Sequence, residues 1–385
     1  VWIKDINRFI HTVNKYNGRK FLCNYCLQYQ HSENLHQQHV EDCVKYGPQK
    51  VTLASKQYME FENIQNMMKA PIVIYADFES MIENNQHKGI AYGYYLKSSI
   101  PTIPSSSSVI TYFGEDAAEK FVKEMKQVSL DVKAALKTNL PMLPPVNQTP
   151  TVCHLCMKPF ESARDAVRNH CHQTQMFLGF AHNKCNLDYK YKKQNGSFTI
   201  PVIFHNLRGY DAHLIIPALE KNTQVDVIAK NLESYLAIKI GSVKIIDSLQ
   251  FLSSSLDKLV SITDTFPIMK SLFNDPDLLT KGVYPYEYMN SLNKYHETDL
   301  PPIEDFYNSL SGTSITVDEH RWAKKMWQKY GCNNLQDYTL LYLATDVGLL
   351  ADVFENFRSL ALQQYQLDPC HYVSLPTLRV ISLRT

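Results

Sequence analysis

The 385-residue sequence contains no apolar run approaching the ~18 residues that a membrane helix requires, which excludes a helical membrane span. It lacks a charge excess as well: the net charge is +1, so overall charge points to no partner. Positive residues gather only weakly, in "YKYKKQ" (189–194) and "WAKKMWQKY" (322–330). No internal repeat is present, which excludes a solenoid. A disulfide framework is missing too. Of the nine cysteines, six stand in C-x2-C pairs or near histidines, which is metal spacing, and Cys171, Cys332 and Cys370 read as ordinary thiols. That usage suits a reducing, intracellular compartment, with nucleus and cytoplasm equally open. The sequence begins at Val1 and not at a methionine, so it is expected to be a piece of a longer protein, and the want of a targeting signal says nothing of location.

A hydrophobic content of 44% supports a true core, and the length suits two or three domains at the usual ~150 residues each. "APIVIYADFES" (70–80) is a β-branched run closing on acids, which predicts a buried strand ending there. "YGYYLK" (92–97) and "SVITYFG" (108–114) read as its partners. Residues 115–136 have helical spacing, and "KTNLPMLPPVNQTP" (137–150) breaks the pattern with four prolines. "IPVIFHNLRGYD" (200–211) is an apolar strand ending in an amide, an aromatic and a carboxylate. "LAIKIGSVKIIDSLQF" (236–251) predicts a hairpin, 296–306 a loop, and 335–365 the strongest helix of the chain.

Three acidic signals lie in order. Alternation along the first strand puts Asp77 and Glu79 on one face and Phe78 on the other. Asp211 follows Asn206 in "NLRGYD", and Asp346 stands four residues after Tyr342 in "YLATD", one helical turn away on the same face. A lone D-x-E means little, since acids often end strands at the surface. Four carboxylates that converge suit a pair of hard divalent cations, Mg²⁺ or Mn²⁺, about 4 Å apart, the arrangement used in phosphodiester cleavage.

In this order "DFES", "HNLRGYD" and "YLATD" resemble the three exonuclease motifs of family B DNA polymerases. The form "HNLRGYDAHLI" is most like the protein-primed branch, and within it like the polymerases of Polinton (Maverick) transposons and related viruses or linear plasmids. The resemblance spans about residues 20–375. It implies a 3′→5′ proofreading exonuclease on a ribonuclease H-like α/β sheet, with Asp77, Glu79, Asp211 and Asp346 holding two Mg²⁺ or Mn²⁺ ions and Tyr342 positioning the attacking water. "KGVY" (281–284) matches the lysine motif of protein-primed relatives, so Lys281 would stabilise charge on the scissile phosphate. The single-stranded 3′ end would be held by Ser80, Asn206, Tyr210, Ser248 and Leu249, while His205 reads as structural. A full-length relative would also engage primer-template DNA, a dNTP and a terminal protein.

Two Cys/His clusters frame this reading. Cys23, Cys26, His39 and Cys43 make C-x2-C-x12-H-x3-C, which is zinc-finger spacing, with His31 and His36 as competing ligands. Cys153, Cys156, His182 and Cys185 make a second site, and the segment resembles the treble-clef HNH module of recombination endonuclease VII. His170, His172, Gly179 and Asn186 match that pattern, but Asn169 stands where the family has a metal-binding aspartate. Loss of that anionic oxygen points to a degenerate module with a structural zinc.

The resulting organisation is a zinc-finger-like module (1–50), an exonuclease domain in two halves (51–136 and 194–365) split by a linker and treble-clef insertion (137–193), and an approach (366–385) to a polymerase domain. None of the family's palm motifs, D-x2-S-L-Y-P, K-x3-N-S-x-Y-G or Y-x-D-T-D, occurs, so polymerisation by this fragment alone is not expected. The competing readings are an HNH-type endonuclease and a non-catalytic, zinc-dependent DNA-binding protein derived from a transposon.

Overall fold

In the computed structural model the described residues are 6–8, 19–47, 64–83, 86–136, 141–143, 149–172, 175–188, 199–221, 223–231, 234–309 and 311–375. The basic stretch 189–194 and the terminal residues 376–385 lie outside them, as does most of the proline-rich 137–150 segment. The chain forms two units, residues 1–60 and 61–385.

In the first unit, strands β1 (Phe21–Leu22) and β2 (Tyr29–Gln30) pair antiparallel and precede helix α1 (Glu33–Tyr46). The Ser32 hydroxyl caps α1 by accepting from the Leu35 N–H at 3.3 Å. Of α1 only Cys43 is buried, so this unit has almost no apolar core of its own.

The second unit is built on a seven-stranded mixed sheet. Its strands are β3 (Ile72–Glu83), β4 (Gln86–Ser98), β5 (Ile110–Phe113), β8 (Ile200–Phe204), β9 (Val225–Asn231), β10 (Ser234–Ile240) and β11 (Val243–Asp247), in the order β5-β4-β3-β8-β11-β10-β9. β3, β8 and β11 run parallel, and the outer pairs are antiparallel. Such a centre is covered on both faces, which is why β8 reads as an unbroken apolar run. β6 (Ala166–His170) and β7 (Phe177–His182) form a separate ribbon.

Alternation along β3 sorts its side chains between two cores. Ile72, Ile74, Ala76 and Phe78 join the cluster under helix α2 (Ala117–Ala135), with Phe121 and Phe204. Val73, Tyr75 and Met81 join the cluster on the opposite face. That face is covered by the 31-residue helix α8 (Leu335–Tyr365). The helix is in turn covered by short elements between 256 and 330, so it is apolar nearly all round instead of amphipathic. Leu343, Val347 and Phe354 are fully buried on it, and each such side chain contributes about 1.5–3 kcal/mol.

Its two ends are fixed by polar contacts. Asn334 caps the start, accepting from the Asp337 N–H at 3.0 Å. Near the end, the fully buried Arg358 donates to Asp368 at 2.6 Å and to the Ala70 carbonyl at 2.6 Å. Asp368 also accepts the Ala70 N–H at 2.7 Å, tying the exit of α8 to the entry of β3.

Two sequence expectations are corrected, and a third feature, the weakly basic 322–330 stretch, gains partners. β3 does not end at the acids but continues to Glu83, because β4 pairs with it along its whole length. The 296–306 loop contains a short helical turn, Ile303–Phe306, anchored by buried Phe306, and a preceding turn, Leu292–His296, runs into its start. The basic 322–330 stretch lies largely on α7 (Val317–Lys329), and two of its lysines are paired internally: Lys325 with Asp277 at 2.7 Å, and Lys329 with Asp275 at 2.7 Å. Among the described residues no helix is long and apolar enough to cross a membrane.

Candidate functional site

A cavity of about 760 Å³ opens where β3, β8 and α8 meet. Asp77 and Glu79 project into it from the middle of β3. Their cross-strand partners on β4 are Gly93 and Ala91, small residues that leave this face open. A Cβ on Gly93 would stand 3.1 Å from Leu343, so the glycine is what lets α8 approach the strand and bring Asp346 to the same cavity. A register shift between Glu79 and Ser80 turns Ser80 toward the cavity as well.

The chain leaves β8 through His205 and Asn206, and the latter holds φ at 70°. Asp247, wholly buried at the end of β11, accepts the N–H groups of Asn206 at 2.9 Å and Leu249 at 3.0 Å. That carboxylate therefore fixes the turn that delivers Tyr210 and Asp211. Asp211 opens α4 (Asp211–Ile215) and faces the cavity at 2% exposure. The Tyr210 hydroxyl is held by Ser80 Oγ and by His87 Nδ1, the latter at 2.7 Å.

All four carboxylates thus line one cavity, with Ser80, Asn206, Tyr210 and Lys281. Asp346 is 1% exposed and Glu79 5%. Burial, reinforced by Asp346 and opposed by Lys281, pushes Asp77 up to about 7. Burial and then Asp77 raise both Glu79 and Asp211 well above the usual carboxylate range. Lys281 Nζ donates to Asp346 Oδ2 at 2.6 Å. Burial alone would lower this ammonium, but Asp346, Tyr286 and Asp77 outweigh it and hold it above the usual lysine range. Two oxygens, Asp211 Oδ1 and Asp346 Oδ1, are buried and accept no hydrogen bond. Buried anionic oxygens without donors cost several kcal/mol, unless a cation supplies the missing charge. An all-oxygen donor set with orphaned atoms fits a hard divalent cation such as Mg²⁺ or Mn²⁺.

The remaining expected residues fall elsewhere. Tyr342 lies outside this cavity's lining; its hydroxyl meets that of Tyr286 at 2.6 Å, and Tyr286 does line the cavity. Ser248 is wholly buried and hydrogen-bonded to the Phe204 carbonyl at 2.9 Å, and Leu249 follows it in a tight turn. Neither is part of the lining. His205 touches the cavity, yet both ring nitrogens are engaged, with Ser248 Oγ at 2.9 Å and the Ser254 carbonyl at 3.0 Å. Residues not singled out from the sequence add to the wall, among them His87, Tyr286, Glu287, Asn290, Asn308 and Ser309. The tyrosine-rich "VYPYEYMN" was the one available signal for Tyr286.

Residues 190–379 match the family model of DNA polymerase type B, organellar and viral. No curated protein and no solved structure matches this chain. The match makes this stretch similar to type B DNA polymerases and supports a nucleotidyltransferase function in DNA replication. It includes Asn206, Asp211, Lys281, Tyr342 and Asp346, whereas Asp77 and Glu79 lie outside it and join them through the sheet.

Beside the polymerase-like stretch stand two Cys/His groups of different chemistry. Cys23, Cys26, His39 and Cys43, and separately Cys153, Cys156, His182 and Cys185, each bring four ligand atoms within 4.8 Å of one another. The sulfur–nitrogen separations are 3.1 and 3.3 Å in the first group, and 3.4 and 4.0 Å in the second. Tetrahedral zinc with Zn–S about 2.3 Å and Zn–N about 2.0 Å places S and N roughly 3.5 Å apart, a value these separations bracket. Both donor sets therefore fit zinc. His39 and Cys43 meet because they stand one turn apart on α1. His31 and His36 are not part of the first group.

In the second group's module the Asn169 amide is buried and bonded to His154 at 3.0 Å, on the ribbon that carries His170. Gly179 takes φ of 145° against the His154 ring, where a Cβ would come within 2.6 Å. His170 and His172 sit with ring centroids 4.5 Å apart, and Asn186 lies on α3 (Asn183–Asp188).

Proposed function

We propose that the carboxylate cavity is the 3′→5′ proofreading exonuclease site of a protein-primed family B DNA polymerase, acting on single-stranded DNA 3′ ends. The observation that carries this reading is the meeting of Asp77, Glu79, Asp211 and Asp346 in one cavity, with two buried oxygens left without donors. On this reading the second unit is a ribonuclease H-like domain carrying a treble-clef insertion.

Two Mg²⁺ or Mn²⁺ ions held by these four carboxylates would supply the charge that activates water and stabilises the leaving oxygen in phosphodiester hydrolysis. The chain does the rest. Tyr210, with its hydroxyl fixed by Ser80 and His87, offers a ring on which a terminal base can stack whatever its identity. Asn206 offers donors and an acceptor at the cavity edge, held by the Asp247-braced turn. Lys281 brings the one lysine or arginine charge in the described lining to an anionic substrate. Tyr342 acts through Tyr286, whose hydroxyl it holds at the wall. Ser248 and Leu249 contribute by shaping the turn beneath Asn206.

In a longer protein the same chain would serve primer-template DNA, dNTPs and a terminal protein. The zinc groups are structural, and the HNH-like residues are inactive, since Asn169 supplies no anion and is engaged with His154. The test is release of 3′ nucleotides from single-stranded DNA in Mg²⁺. Wild-type protein should release them, and Asp77→Ala with Glu79→Ala should not. Equal release by the two proteins would remove these residues from the mechanism.

A further inference from the structure

The cavity lining holds five carboxylates, Asp77, Glu79, Asp211, Glu287 and Asp346, against a single lysine or arginine among the described residues, Lys281. That ammonium sits on one oxygen of Asp346 at 2.6 Å, while the other oxygen of the same carboxylate is buried and accepts nothing. Lys281 arrives on a loop, not on a helix or strand. Its neighbour Gly282 lies so close to the Tyr342 ring that a Cβ would stand 3.1 Å from Cδ2. The backbone is thus pinned at Gly282, whereas the lysine side chain is about a quarter exposed and has a four-carbon stem on which to move.

We propose that Lys281 is the built-in counter-cation of this cavity: it holds Asp346 until a divalent cation takes that carboxylate, and its release then presents the ammonium to the substrate phosphate. This inference rests on the reading of the four carboxylates as metal ligands. The physical argument is electrostatic. An ammonium and a divalent cation cannot share one buried carboxylate without strong repulsion at the low effective dielectric of such a site. Each must weaken the other's hold on Asp346. Cation binding and substrate phosphate binding then become positively linked, because the first frees the charge that the second needs.

The experiment is a Mn²⁺ titration of the full, zinc-loaded chain without DNA, read by electron paramagnetic resonance of the free ion. Lys281→Met should tighten Mn²⁺ binding about tenfold or more relative to wild type, since it removes the competing charge. Lys281→Arg should stay near wild type, and Asp346→Asn should bind more weakly. Binding by Lys281→Met that is equal to or weaker than wild type would overturn the counter-cation role alone. Failure of Asp346→Asn to weaken Mn²⁺ binding would overturn the metal-site reading itself. Should Lys281→Met not fold, reductive methylation of wild-type protein reads the same event. Modification of Lys281 should rise as Mn²⁺ is added, and a constant or falling yield would refute its release.

Discussion

The Cys/His groups and the carboxylate cavity are both clusters of side chains able to ligate a metal, yet they are assembled in opposite ways. Each Cys/His group gathers ligands from one segment, 23–43 or 153–185: a C-x2-C knuckle meets one turn of α1 in the first, and the end of β7 with the start of α3 in the second. The first unit buries almost no apolar surface with which to hold that arrangement. The cavity instead draws Asp77 and Asp346 from nearly opposite ends of the chain, and the sheet and α8 hold them. A bound zinc ion would supply most of what holds the first kind of site together, whereas the second is put together by its scaffold.

That contrast breaks first at the acids. Asp77→Ala with Glu79→Ala should cut Mg²⁺-dependent nucleotide release by about 10³-fold or more while leaving zinc content intact. A parallel loss of zinc would show that the two kinds of site are not independent.

The converse change is Cys23→Ser. It should lower bound zinc from about two to about one per chain, and local folding of residues 21–46 should go with it, since structural zinc is worth on the order of 10 kcal/mol to such a unit. Nucleotide release should change little, as measured on the same preparation.

Arg358→Met tests the scaffold. It leaves Asp368 buried without its partner, which should cost about 3–5 kcal/mol in denaturant unfolding. Asp77 to Asp346 should still bind Mn²⁺ in the folded fraction.

Tyr210→Ala should raise KM for a single-stranded end about tenfold with little change in kcat, the size expected for losing one base–aromatic stack. Tyr210→Phe, which keeps the ring, should lie between.

The smallest effect is a pH dependence. Asp77 titrates near 7 in the folded chain against 3.8 in its ordinary state. Its raised value contributes stability that is complete below about 4 and is lost as pH rises through 7. Glu79 and Asp211 shift in the same direction. A divalent cation reverses this by favouring the ionised forms. The rise in Tm on adding Mg²⁺ should therefore grow between about pH 4 and 7, and Asp77→Asn should flatten it.

Much of this was legible beforehand because it is local. Helix 335–365 was readable from its apolar density, and its observed limits are Leu335–Tyr365. The 236–251 hairpin is β10 and β11, turning at Gly241 with φ of 59°. The metal spacing of the first cysteine group needed only one helical turn to become a cluster. The length of β3 was not legible, because acids inside a strand look like its end unless the pairing strand is known. Nor was the wall formed by Tyr286, Glu287, Asn290, Asn308 and Ser309, whose segment has neither period and is held by packing and by turn hydrogen bonds such as Ser309 N–H to Glu287 Oε1 at 2.6 Å. The pairing of Lys325 and Lys329 was not legible, because their partners, Asp277 and Asp275, lie some 50 residues earlier in the chain.

By itself the sequence determined which side chains could do chemistry and which face of β3, or which turn of α1 and α8, each would occupy. Those follow from the periods of strand and helix, which every residue carries locally. Only the tertiary structure decided that the four carboxylates share one cavity, that Tyr342 stands behind Tyr286, and that Lys281 rests on Asp346. Such meetings depend on β3 pairing with β8 and on small Gly93 admitting α8, contacts whose partners lie more than a hundred residues apart.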